Sequence, residues 1–213
     1  CSDIYGEPAE ETVNPLEVPF GRQVDARARW YRGDLHLHTA WTDGRVSIAR
    51  ALAEARRKGL DYVALTDHSI ATTRVGAASA QGLLVVPSTE VSWDDGGHFN
   101  VHGLRSVPDY VSFLRGAATK DGALDALLRA YASDGALLTV NHPFPYGWTL
   151  DHDYDISSID TIEVLNAPHL LDPEVDNERA VRFFDYLWDA GCRLMAVGGS
   201  DAHKENYFGS YPV

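Results

Sequence analysis

The sequence predicts an α/β fold, a mainly parallel sheet covered by helices, and three observations predict it. Seven short apolar runs of strand character alternate with stretches that carry helix start and stop signals. Those runs fall within about 180 residues, which suits a small α/β barrel, although an open sheet has the same pattern. Polar residues able to bind metals gather at the ends of the strands, and in a parallel barrel those ends share one rim.

Taken in order, residues 1–28 are polar and acidic, with Pro8, Pro15 and Pro19 and no sustained apolar period. They read as an extended arm or tether, and residues 29–213 as one domain. The strands are expected at Gly33–Thr39, Tyr62–Asp67, Leu83–Val91, His98–Leu104, Ala136–Asn141, Thr161–Asn166 and Arg193–Gly199. Ser47 can cap a helix whose Ile48, Ala51, Leu52 and Ala55 share a face, and Gly59 stops it. Asp121 can cap a second, with Leu124, Leu127, Leu128 and Tyr131 inward and Gly135 as its stop. Asp172-Pro173 opens a third, which presents Val181, Phe184 and Trp188 and stops at Gly191.

Composition narrows the function. The 213 residues are 45% apolar and carry Lys+Arg 18 against Asp+Glu 31, a formal net charge of −13. This excess of acid argues against a protein that grips a nucleic-acid backbone, which needs a basic face. The nine His are unusual in company, since most stand beside Asp, Asn or another His. Cys1, followed by Ser2 and Asp3, resembles the lipidated end of a bacterial lipoprotein. A lipid anchor there would tie the chain to the cell envelope, and a chain without it would be cytoplasmic.

In a strand, residues i and i+2 point the same way. His36 and His38 therefore face together, as two imidazoles on one metal require, and Asp201 and His203 repeat the spacing. His98, Asn100 and His102 share a face too. Asp43 follows the first pair in a turn-like Thr42-Asp43-Gly44 and can reach over the rim. Imidazole with carboxylate suits Zn²⁺, Mn²⁺ or Fe. Asp67 reads as an acceptor that orients a neighbouring imidazole. His152 and His169 have no partner at metal spacing and read as surface residues.

Asp-Leu-His-Leu-His-Thr at 34–39, Thr-Asp-Gly at 42–44, Leu-Thr-Asp-His at 65–68, Glu90, Gly-His-Phe-Asn at 97–100, Asn-His-Pro at 141–143 and Ser-Asp-Ala-His at 200–203 resemble the PHP (polymerase and histidinol phosphatase) superfamily. The spacing of Glu90 and Gly-His-Phe-Asn is most similar to the stand-alone metallo-hydrolase branch that includes carbaryl-hydrolase-type proteins. The resemblance implies a distorted, TIM-barrel-like (β/α)₇ barrel with two or three divalent metal ions at the C-terminal rim. It implies that His36, His38, Glu90 and Asp201 hold one metal and that Asp43, His68 and His203 hold a second. Glu90 would bridge to a third, completed by His98 and His142, with His102 as the other candidate on that strand face. His-x-His also occurs in amidohydrolases, but no lysine stands at a strand end where their bridged metals need one. Ten residues follow His203, fewer than the resemblance implies for a complete member.

The implied activity is hydrolysis of a small phosphomonoester or phosphodiester by metal-bound hydroxide, with Asp43, His68 and His203 at the catalytic metals. His102 could supply the leaving group's proton. The alternatives are a carboxylic or carbamate ester hydrolase on the same site and a non-catalytic metal-binding domain. Arg45 and Lys204 are the basic residues nearest the motifs for an anionic substrate. Trp41, Trp93 and Trp148 lie just past rim motifs, with Phe144 and Tyr146 beside the last, and could pack an apolar or aromatic group of that substrate.

Overall fold

A computed structural model describes residues 30–69, 82–93, 97–105, 116, 118–144, 154–166 and 176–204. Seven strands form one sheet in sequential order: β1 (Gly33–Asp34), β2 (Tyr62–Leu65), β3 (Leu84–Trp93), β4 (Gly97–His102), β5 (Leu137–Val140), β6 (Thr161–Asn166) and β7 (Met195–Gly199). Every expected strand is present. Pairing is parallel from β1 to β3 and from β5 to β7, whereas β4 runs antiparallel to both its neighbours. The reversal places the start of β4, not its end, among the C-terminal ends of the other strands.

The chain's two ends of sheet meet. Leu37 bridges Ala202 in parallel, and the His38 N–H donates to the Ala202 carbonyl at 2.9 Å. The fully buried Asp34 carboxylate reinforces the seam by accepting from the backbone N–H groups of His36 (3.2 Å) and Ser200 (3.0 Å). The result is a nearly closed, distorted barrel.

Helix α1 (Ile48–Arg57) is capped by Ser47, buries Ala51, Leu52 and Ala55, and ends before Gly59 at φ +73°. Helix α2 (Lys120–Ser133) buries Leu124, Leu127, Leu128 and Tyr131 as expected, but its cap is Thr119, whose hydroxyl accepts from the Gly122 N–H. Asp121 instead lies in the first turn, where a negative charge favours the helix dipole. Helix α3 (Asn177–Asp189) is capped by Asp176; Asp172-Pro173 lies outside the described residues. Its inward face differs from expectation. Ala180 and Leu187 are buried, with Phe183 and Phe184 packed against the core, while Val181 and Trp188 are 40% and 43% exposed. The Trp188 indole is tied to the strand entry by its N–H, which donates to the Leu194 carbonyl at 2.7 Å.

Alternation in the strands sorts polar from apolar. Val91, Phe99, Val101, Leu138, Val140, Ile162 and Val164 point to the helices and join one core cluster. Leu37, Val63, Leu65, Val85 and the inner face of α1 form another. The opposite strand faces line the barrel interior with Ser88, Glu90, Asn100, His102, Asn141 and Glu163, all buried. No helix among the described residues is long and apolar enough to cross a membrane.

Candidate metal centre

Five strand ends and one strand start bring their polar residues together. His36 and His38 follow β1, His68 follows β2, Glu90 lies near the end of β3, His98 opens β4, His142 follows β5, and Asp201 and His203 follow β7. Asp43 reaches them from the loop after β1, where Thr39 and Thr42 are fastened to Asp67. Asp67 thus anchors a loop rather than orienting an imidazole: it accepts from the Thr39 N–H, the Thr39 hydroxyl and the Thr42 hydroxyl at 2.7–2.9 Å. Gly44 permits the turn, because a Cβ there would stand 2.5 Å from the His38 backbone. Asp201 sits in the left-handed region at φ +47°, a conformation that Asp tolerates better than most residues.

The ligand atoms form overlapping groups. His36 Nε2 lies 3.4 Å from Glu90 Oε1 and 3.3 Å from Asp201 Oδ1, and His38 Nε2 lies 3.2 Å from Glu90 Oε2 and 3.1 Å from Asp201 Oδ1. The two Nε2 atoms are 3.2 Å apart. Around Asp43 Oδ2 stand His68 Nε2 at 3.3 Å and His203 Nε2 at 3.0 Å, with His38 completing the group. Around Glu90 Oε1 stand His98 Nδ1 at 3.2 Å and His142 Nε2 at 3.5 Å, themselves 3.4 Å apart. His36, His142 and Asp201 make a further combination. Donors held ~2.0–2.1 Å from a tetrahedral ion sit roughly 3.3–3.4 Å from one another, so these spacings are those of a metal shell.

Two further observations fit metal ions. No hydrogen bond reaches the buried His38 Nδ1 or Glu90 Oε2, and buried polar atoms ordinarily have partners. The far nitrogens of several imidazoles are already engaged, which turns the others inward. His36 Nδ1 meets Glu163 at 3.1 Å, His68 Nδ1 meets the Ser92 hydroxyl at 2.6 Å, and His203 Nδ1 meets the Asp201 carbonyl at 2.9 Å. Such partners fix tautomer and ring orientation in metal sites. Without metal, the centre balances charge through protons. Burial alone would lower the His38 pKa, but the Asp201 and Glu90 carboxylates beside it outweigh that and raise it to about 10. Burial would raise the Asp201 and Glu90 carboxyl groups, yet the neighbouring imidazoles hold both well below the usual range.

All nine residues expected as ligands converge, and of the two histidines left open on the β4 face it is His98 that stands beside Glu90. Because β4 descends from the rim, His98 meets Glu90 while His102 lies four residues deeper, opposite Ser88. His102 is 6% exposed, its Nδ1 is 3.1 Å from the Ser88 hydroxyl, and burial pushes its pKa down to about 3. This corrects its expected role as proton donor: a buried neutral imidazole below the rim has no acidic proton to give a leaving group. Trp93 is also corrected. It is three residues from Glu90, an odd step that turns it to the opposite face, and it is 3% exposed in the core. Phe144 is buried against Phe183 and under the Arg179 guanidinium, 4.1 Å from the ring centroid. Trp41 is 54% exposed; Arg45 and Lys204 are exposed, and the Arg45 N–H donates to the His203 carbonyl at 2.8 Å. Trp148, Tyr146, His152, His169 and Cys1 lie outside the described residues.

Three partners carried no assigned role in the sequence: Asn141, Glu163 and Asn166. Asn141 donates to Glu90 Oε1 at 2.8 Å, and Glu163 and Asn166 contact ligands from β6. Their signal was their place at strand ends; the Asn166 contact also depends on a shift of register in β6 that no residue pattern announces.

No family model matches the chain. Over 39 residues, 18% of its length, it is 56% identical to the DNA polymerase/3'-5' exonuclease PolX of Bacillus subtilis, and that match covers 7% of the Bacillus protein. Three solved structures share its fold. One is a two-domain protein of Bacteroides vulgatus whose description includes a PHP-like metal-dependent phosphoesterase (21% identity, TM-score 0.56, 83% of this chain and 53% of that one). The second is described as a metal-dependent phosphoesterase of Bifidobacterium adolescentis (18%, 0.57, 80% and 87%). The third is an amidohydrolase of Chromobacterium violaceum, solved with sulfate and without metal (16%, 0.57, 85% and 90%). The chain spans about half the length of the Bacteroides protein and a small fraction of PolX. It therefore has a PHP-like barrel fold, with a cluster of metal-binding residue types at one rim.

Proposed function

We propose that this chain is a metal-dependent hydrolase of the PHP superfamily, in its stand-alone branch, and that it hydrolyses a small phosphomonoester or phosphodiester. The observation that carries the proposal is the pair of groups meeting at Glu90, one with His36, His38 and Asp201 and one with His98 and His142, beside a third at Asp43, His68 and His203. Two or three divalent ions in these groups, zinc, manganese or iron, would supply an acidified water and a positive clamp for phosphoryl oxygens. The protein's part is positional. Asp201 and Glu90 hold the deep imidazoles, and the half-exposed Asp43 with His68 and His203 opens the centre to solvent.

Arg45, whose backbone N–H donates to the His203 carbonyl, would meet the substrate's anionic group, with Lys204 as the adjoining cation. Trp41, on the loop after β1, is exposed and would take over the substrate-packing role expected of Trp93. PolX acts on DNA by name, but a net charge of −13 favours a small substrate over a polyanion. The amidohydrolase neighbour favours, as a second reading, a carboxylic or carbamate ester on the same centre.

A panel of aryl phosphates, alkyl phosphates and matched aryl esters separates the two, assayed with zinc- or manganese-loaded protein. The expected result is turnover of phosphates and not of esters; the reverse preference supports the second reading. Trp41→Ala should raise KM for an aryl phosphate about 2- to 10-fold more than for an alkyl one, the scale of one aromatic contact. Equal changes would remove Trp41 from substrate packing.

A further inference from the structure

Strand β6 breaks the alternation that the other strands keep. Its register against β7 shifts between Glu163 and Leu165: Glu163 pairs with Val197, but Leu165 pairs with Gly198 and Asn166 with Gly199. One extra residue on β6 resets the parity, as a bulge does. Leu165 turns out to solvent at 42% exposure, and Asn166 joins Glu163 in the barrel interior, at 1% and 2% exposure.

The bulge thereby delivers a carboxylate and an amide to one spot. Glu163 Oε1 is 3.1 Å from His36 Nδ1, while its Oε2 accepts from the His142 N–H at 2.9 Å and from Asn166 Nδ2 at 3.0 Å. Asn166 Nδ2 also reaches Asp201 Oδ2 at 3.2 Å, leaving Asp201 Oδ1 to face His36 and His38. Gly199 supplies the room. A Cβ there would stand 2.4 Å from His36 Cβ and 2.5 Å from Glu163 Oε1.

We propose that Glu163 and Asn166 are a positioning pair, built by the β6 bulge over Gly199, that sets the affinity of the ions held by His36, His142 and Asp201 and not of the ion held by Asp43, His68 and His203. Glu163 keeps the proton on His36 Nδ1, so that Nε2 offers its lone pair to the centre, and it fixes the backbone that carries His142. Asn166 aims the Asp201 carboxylate. The Asp43 group has its own supports: the Ser92 hydroxyl meets His68 and the Asp201 carbonyl meets His203.

This inference rests on the metal-dependent reading. It is tested by titrating metal-free protein with zinc against a chromophoric chelator. The variants are Glu163→Gln, Asn166→Ala and Gly199→Ala, with circular dichroism melts of each metal-free protein. Glu163→Gln should weaken the affected sites ~10- to 100-fold, the usual effect of losing a partner behind a metal ligand, and leave one zinc per chain bound as in the wild type. Asn166→Ala and Gly199→Ala should move the same sites in the same direction, which keeps the test open if one variant does not fold. Unchanged affinities, or equal weakening at every site including the Asp43 group, would overturn the pair. A wild-type chain that takes up no zinc would overturn the metal reading itself, and this inference with it.

Discussion

In the His36→Ala/Asp201→Ala double variant, phosphoester hydrolysis falls at least ~10³-fold, as expected when groups that hold the reacting assembly are removed. Both residues belong to the buried part of the centre, where each lies within 3.4 Å of other ligand atoms. Removing them takes away an imidazole and a carboxylate that no neighbour replaces. Asp34 is untouched and continues to hold the barrel seam through the backbone of residues 36 and 200, so the fold persists while metal is lost. Steady-state assay of the variant, with metal content measured on the same sample, checks this. Full activity in the variant would separate catalysis from this cluster altogether.

The second large effect is the coupling of metal, protons and stability. In the metal-free protein His36 and His38 are held protonated, their pKa values raised despite burial by the surrounding Asp201, Glu163 and Glu90 carboxylates. For a group whose folded pKa is raised, the stabilisation is complete below the unfolded value near 6.5 and is lost as pH climbs through the folded one, about 10 for His38. The depressed Glu90 and Asp201 act at the other end: their contribution is present above about pH 4–4.5 and lost as pH falls through their lower folded values. His102, lowered to about 3 by burial, works the other way and costs stability as pH falls below 6.5, so the metal-free chain is most stable near pH 6.5 and weakens toward pH 10. Metal needs those imidazoles neutral, so binding at pH 7.5 must expel the protons of His36 and His38. Calorimetry in buffers of different ionisation enthalpy should detect their release, and zinc affinity should rise steadily between pH 6.5 and 10. Zinc at a thousandfold excess over its Kd adds about 4 kcal/mol, so chelation should lower Tm by roughly 8–16 °C in a chain of this size. A Tm that ignores chelator would contradict the account.

Much of this centre is legible in the residues alone. Dyad spacing puts His36 with His38, and glycines at positive φ after α1, α2 and α3 stop those helices where expected. The failures have physical causes. Only three residues separate Trp93 from Gly97, too few for a parallel crossover, so the reversal of β4 was implicit, and with it the demotion of His102. Parity likewise places Trp93 opposite Glu90. In α3 the apolar residues Val181, Phe183, Phe184, Tyr186 and Trp188 surround most of the helix, so the pattern alone does not select Ala180 and Leu187 as its buried line. The β6 bulge is a matter of register against β7, which depends on tertiary packing rather than on the composition of either strand.

The central claim is a multinuclear metal centre shared through Glu90. Elemental analysis of the purified chain after zinc or manganese loading and gel filtration, with phosphatase activity measured on the same fractions, tests it most directly. The account predicts two or three ions per chain, with activity rising as they load. One ion or fewer, removable without effect on any hydrolysis, would contradict it.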